Sequence, residues 1–175
     1  MSDETRDTVP DAALERAWAD TRAAFENRAL IYHDIFEALS EDVGRERAAE
    51  IMKRGLRRRG VEVGRKYRDA IEAGDLRLVG CIFCSDSACD GTLFHKGIES
   101  FDGDTIVLRM ESCPLVDAWR GAGLSAEDVD LMCEIAAEID EGTFGGAGLE
   151  LTFLDRQGRA GSQRCLLQLR LPAGG

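Results

Sequence analysis

The stretch "GTLFHKGIESFDGDTIVLRMESC", residues 91 to 113, decides the fold class. Two runs rich in β-forming residues, 91–100 and 105–113, flank Phe101, Asp102, Gly103 and Asp104. An Asp-Gly pair between such runs is among the strongest hairpin signals a sequence carries, because a tight two-residue turn needs positive φ and glycine tolerates it. With Asp102-Gly103 as the loop, Phe101 faces Asp104. The pairing then runs back through Glu99 and Ile106, Gly97 and Leu108, His95 and Met110, and Leu93 and Ser112. Side chains alternate along a strand. This register therefore predicts that His95 shares a mostly apolar face with Leu93, Ile106, Leu108 and Met110.

Outward from the hairpin the periodicity is helical. Pro10 reads as a first helical residue, and Leu14, Ala17, Trp18, Thr21 and Phe25 follow at helical spacing. The pattern resumes with Leu30, Ile31, Ile35 and Leu39 on one stripe. Gly44 punctuates, and "RERAAEIMKRGLRRRG" reads as a helix closed by Gly60. A weaker helix is predicted in "GRKYRDAIEAGD". After the hairpin, Pro114 opens a short helix, and Ser125-x-x-Asp128 caps a longer one whose core stripe is Val129, Met132, Cys133 and Ala136. Two closing strands, "LELTFLD" and "RCLLQLRL", form a second hairpin, with Cys165 on the face of Leu167, Leu169 and Leu171. The order predicts an α+β fold: N-terminal helices packed with an antiparallel sheet built from two hairpins and an intervening helix pair. Residues 1–10 are polar and acidic and read as a disordered lead-in, with one domain over 11–172.

Composition narrows the partners. The 33 Asp and Glu outweigh 22 Lys and Arg, for a net charge of −11. Such a surface repels phosphates, which argues against nucleic acid and anionic membranes. No apolar run approaches the roughly 20 residues of a membrane helix. The amino terminus has no signal-peptide character, so a cytoplasmic location is expected. There the six cysteines read as core residues, metal ligands or reactive thiols before disulfides.

Three of them form the cluster Cys81-x2-Cys84-x4-Cys89-x5-His95, within a zinc site's reach if the loop folds back. The cluster equally suits a redox pair at Cys81 and Cys84, or a buried strand over Cys81 and Ile82. The other three are scattered. Cys113 precedes Pro114 at a helix N-cap, where the helix dipole favours thiolate. Asp117 lies one turn beyond it on the same face. Cys133 and Cys165 lie on apolar stripes. Asp130 is one turn before Cys133. Asp140 is two turns beyond it, about 10 Å along the axis and too far for both to hold one ion.

"ESCPLVDAWRGAGLSAEDVDLMCEIAAEID" and "GSQRCLLQLRL" resemble the L-2-amino-thiazoline-4-carboxylic acid hydrolase-like family, and more distantly the 4-vinyl reductase-like ligand-binding domains. The resemblance implies a metal-dependent hydrolase that opens a small amidine or thiazoline carboxylate to a carbamoyl product, acting at a C–N bond. It implies a divalent metal, zinc first, on Cys113, Cys133 and Cys165, with Cys113, Asp117 and Asp140 as candidate catalytic groups and a small molecule as partner. Two other functions stay open: a non-catalytic ligand-binding or sensor domain with a structural zinc on Cys81, Cys84, Cys89 and His95, and a thiol redox protein.

Overall fold

The computed structural model describes residues 11–172. Pro10 and the predicted lead-in lie outside them. Helix α1 (Asp11–Val43) runs to Gly44, whose φ of +82° breaks the chain direction before α2 (Arg45–Gly64). A 3-10 turn (Arg65–Tyr67), α3 (Arg68–Glu72) and α4 (Leu76–Ser85) follow. Then come β1 (Lys96–Phe101), β2 (Thr105–Met110), α5 (Pro114–Gly121), α6 (Ala126–Phe144), β3 (Glu150–Asp155) and β4 (Cys165–Arg170). The strands form one antiparallel sheet in the order β1-β2-β4-β3, so the two hairpins join edge to edge through β2 and β4. This is the α+β architecture predicted.

Two apolar clusters hold it together. Under the sheet, Ile106 and Leu108 of β2 and Cys165, Leu167 and Leu169 of β4 pack against Leu76, Val79 and Phe83 of α4 and Phe144 of α6. The second cluster is all-helical: Ala29 and Phe36 of α1, Ala48 of α2, Val116 and Trp119 of α5, and Val129, Met132, Cys133 and Ile135 of α6. Trp119 donates its indole N–H to the Ala29 carbonyl at 2.8 Å, which pins α5 to α1 without leaving a buried donor unpaired. Helix α6 belongs to both clusters. Its cap is the one predicted: the Asp128 amide donates to Ser125 Oγ at 3.1 Å.

Four expectations are corrected. The hairpin loop is Gly103-Asp104, because Asp102 pairs with Thr105: its amide donates to the Thr105 carbonyl, and its carboxylate accepts from the Thr105 amide at 2.9 Å. A bulge at Glu99 shifts the register again, so Lys96, not His95, opposes Met110. A one-residue slip exchanges the faces. His95 leaves the strand, takes φ +44°, and bonds Ser112 through Nδ1 at the surface.

Second, Cys81 and Ile82 lie on helix α4, capped by Asp75, rather than on a buried strand. Gly80 lets α4 sit on the sheet, since a Cβ there would meet Ile106 Cδ1 at 2.6 Å. Third, the stripe on α1 is Phe25, Ala29, Tyr32, Phe36 and Leu39; Ile31 and Ile35 are 45% and 47% exposed. Fourth, Gly60 does not close α2. It is a buried notch where α6 crosses, and two basic residues beyond Met52 face α6 acids: Lys53 pairs with Glu134 and Arg57 with Glu138.

Candidate functional site

The two clusters leave a cavity of about 190 Å³ at their seam. Cys113 and Leu115 enter it from the start of α5, Cys133, Ala136, Ala137, Ile139 and Asp140 from α6, and Cys165 from the start of β4. Phe83, Phe94, Met110 and Phe153 complete an apolar wall, into which Arg28, Lys96 and Arg156 bring positive charge. A concave, mostly apolar surface with a few converging polar groups is the usual form of a small-molecule site. An apolar void of about 150 Å³ accepts benzene, so a five-membered ring with small substituents fits here.

Cys113, Cys133, Cys165 and Asp140 thus meet on one cavity, although up to 52 residues separate them in sequence. Asp140 and Cys133, two turns apart, line it at different heights along α6. Asp117 does not line it: the side chain is exposed, one turn above Cys113. Asp130 turns outward and pairs with Arg156. The other cluster is dispersed. Cys81 is exposed on α4, Cys84 half-buried on the same helix, Cys89 in the following turn with φ +56°, and His95 at the surface.

Burial sets the protonation states. The Cys113 thiol occupies an extended N-cap as the sequence predicts, but burial outweighs the amides of Val116 and Leu115 and pushes it up to about 11. The expected dipole-stabilised thiolate is therefore absent. Cys165 is pushed up to about 12 by burial, against the Gln157 amide that donates to its sulfur at 3.3 Å. Burial raises Cys133 too, against the Gly158 amide and the charge of Arg156. A thiol at about 11 is ionised only about once in ten thousand at pH 7. Asp140 differs. Burial raises its carboxyl from 3.8 to about 7, Lys96 opposes the rise, and Glu141 adds to it. It is a cavity-lining group poised to exchange a proton at neutral pH.

Lys96 is the cation facing it. Burial lowers its pKa, and its ammonium lies 4.6 Å from the Phe83 ring centre while donating to the Asp86 carbonyl at 2.9 Å. Sequence reasoning missed Lys96 because the predicted register gave its place to His95. It missed Arg28 and Arg156 because a single basic residue on a helix or in a turn carries no local signal.

The cysteines do not complete a metal site in this arrangement. Among the described residues, no three His, Cys, Asp or Glu side chains gather as ligands. The three thiols all face backbone amide donors, and Lys96 and Arg156 already bring positive charge to the cavity.

Among the described residues, no helix is long and apolar enough to cross a membrane. The family model described as L-2-amino-thiazoline-4-carboxylic acid hydrolase matches residues 22–167, which include every residue lining the cavity. No curated protein and no solved structure matches the chain.

Proposed function

Because the chain belongs to the L-2-amino-thiazoline-4-carboxylic acid hydrolase family, we propose that it hydrolyses a small cyclic amidine carboxylate, of which thiazoline carboxylate is the first to test. The observation that supports this reading is Asp140, a carboxyl shifted to about 7 inside an apolar cavity that also holds Lys96.

The chemistry follows from those two groups. Asp140, ionised, accepts one proton as water forms a C–O bond to the amidine carbon, and passes it to the ring nitrogen. The adduct then collapses: the ring C–S bond breaks, and the hydroxyl proton of the adduct leaves with sulfur. The product carries a carbamoyl group and a free thiol. Water thus adds across the amidine C=N, while the scissile ring bond is C–S. Lys96 supplies positive charge where the departing sulfur becomes negative, and in an apolar wall that charge is poorly screened. The neutral thiols of Cys113, Cys133 and Cys165 form a soft wall against which a sulfur-containing ring packs.

Incubating the protein with thiazoline carboxylate tests the reading. Free thiol and a carbamoyl product should appear in equal amounts; if neither appears, the reading is wrong. No step is routed through a metal, so turnover should survive exhaustive chelation. Loss on chelation with recovery on zinc would instead favour thiolate-held zinc, with Cys113, Cys133 and Cys165 as its ligands.

A further inference from the structure

Arg156 follows β3, in the turn to β4, and its side chain is only 8% exposed. One arm of its guanidinium is tied outward: Nη2 pairs with Asp130 at 3.0 Å and with Glu134 at 3.5 Å, both on α6. The other arm, Nη1, is buried with no hydrogen-bond partner among the described residues. Arg28 of α1 repeats the pattern. It lines the same cavity, its guanidinium stacks 4.2 Å from the Phe25 ring centre, and its Nε is buried and unpartnered.

An unpaired buried N–H is costly and rare, and one on a guanidinium more so. Here the two arginines that carry such donors, from elements distant in sequence, both line one small cavity. The ion pairs to Asp130 and Glu134 explain how Arg156 tolerates burial, but not why Nη1 is left without an acceptor.

We infer that Arg156 and Arg28 form an anion subsite that recognises the carboxylate of a small cyclic amino-acid-like ligand. A carboxylate bound in the cavity would offer acceptors to these arginines, and guanidinium is the side chain best matched to it. The subsite deepens the hydrolase reading and rests on it for the substrate class. It assigns Arg156 and Arg28 to positioning and selection, and leaves proton transfer to Asp140.

The test separates binding from turnover. Thiazolidine-4-carboxylate has the ring and the carboxylate but no amidine to hydrolyse, and 2-amino-2-thiazoline has the amidine but no carboxylate. Calorimetric titration of the native protein should show thiazolidine-4-carboxylate binding about 10- to 100-fold tighter than 2-amino-2-thiazoline. Arg156→Gln should erase that preference, and Arg28→Gln should reduce it. Arg156→Lys keeps the charge beside Asp130 but loses the fork, so it too should weaken the carboxylate ligand; it carries the test if the Gln variant does not fold. In turnover, Arg156→Lys should raise KM for thiazoline carboxylate and leave the pH at which activity rises unchanged.

Native-like thiazolidine-4-carboxylate binding in these variants overturns the subsite. A protein that binds this ligand through Arg156, yet releases no thiol from thiazoline carboxylate, keeps the subsite and loses the proposed reaction.

Discussion

Asp140→Asn is expected to cut turnover of thiazoline carboxylate by about 100- to 10,000-fold and, at the same time, to stabilise the protein above pH 7. The two effects share one cause. Burial raises the carboxyl from 3.8 to about 7, against the pull of Lys96. The folded chain therefore holds a proton that the unfolded chain gives up near 3.8. A group raised in this way contributes stability that is fully present below pH 3.8 and is lost as pH climbs to about 7. Above that, the fold carries a desolvated carboxylate at a cost on the order of 4 kcal/mol. Asparagine cannot ionise. Melting temperatures of the two proteins should nearly coincide at pH 4, diverge up to about pH 7 and keep a constant gap beyond it, the variant being higher.

Activity should follow the opposite limb. In the native protein kcat/KM rises with pH through about 7, as Asp140 becomes the ionised base, and then levels off. The limb should vanish in the residual activity of Asp140→Asn. Lys96→Met should move it upward, since the opposing charge is gone. A native profile flat from pH 5 to 8, or an Asn variant with full activity, assigns the base elsewhere.

What the sequence discloses about this site divides by the range of the signal. The second hairpin, the Ser125 cap and the stripe Val129, Met132, Cys133 are local patterns, and they fold as read. The first hairpin is local as well, but its register is not. The choice of loop depends on the Asp102 carboxylate reaching the Thr105 amide, and the bulge at Glu99 has no composition of its own. That slip matters chemically because it decides whether an imidazole or an ammonium faces Met110 and the cavity.

The segment from Leu76 to Ser85 is a short apolar run, which periodicity alone does not assign to helix or strand. Asp75 was the available signal, since its carboxylate accepts from the Leu78 amide as an N-cap. The convergence of Cys113, Cys133 and Cys165 was open to the family resemblance and closed to spacing, because it is made by α5, α6 and β4 packing around one seam.

The largest effect on stability is expected at Gly142, read only as part of a helix. A Cβ on Gly142 would sit 2.1 Å from the Arg57 carbonyl oxygen and 2.9 Å from Gly60 Cα. On the facing helix, a Cβ on Gly60 would meet the Ile139 carbonyl oxygen at 2.2 Å. These neighbours are backbone, so no side chain can swing aside; one helix must move. Overpacking in a core typically costs about 1–3 kcal/mol, and a backbone obstruction belongs at or above the top of that range. Gly142→Ala should therefore lower the melting temperature by about 10 °C, since about 1 kcal/mol moves it by 2–4 °C in a chain of this size. Gly55 is the control on α2. It has open space around it, and Gly55→Ala should stabilise by about 0.5–1 kcal/mol through backbone entropy and helix propensity. The crossing also holds the site. Asp140 lies two residues before Gly142, and Thr143 bonds the Gly60 carbonyl across the contact at 3.3 Å. Whatever Gly142→Ala protein folds should show a displaced activity limb, because a shifted α6 changes the burial of Asp140. A variant that melts within about 2 °C of the native protein would mean that the two helices do not cross at these glycines.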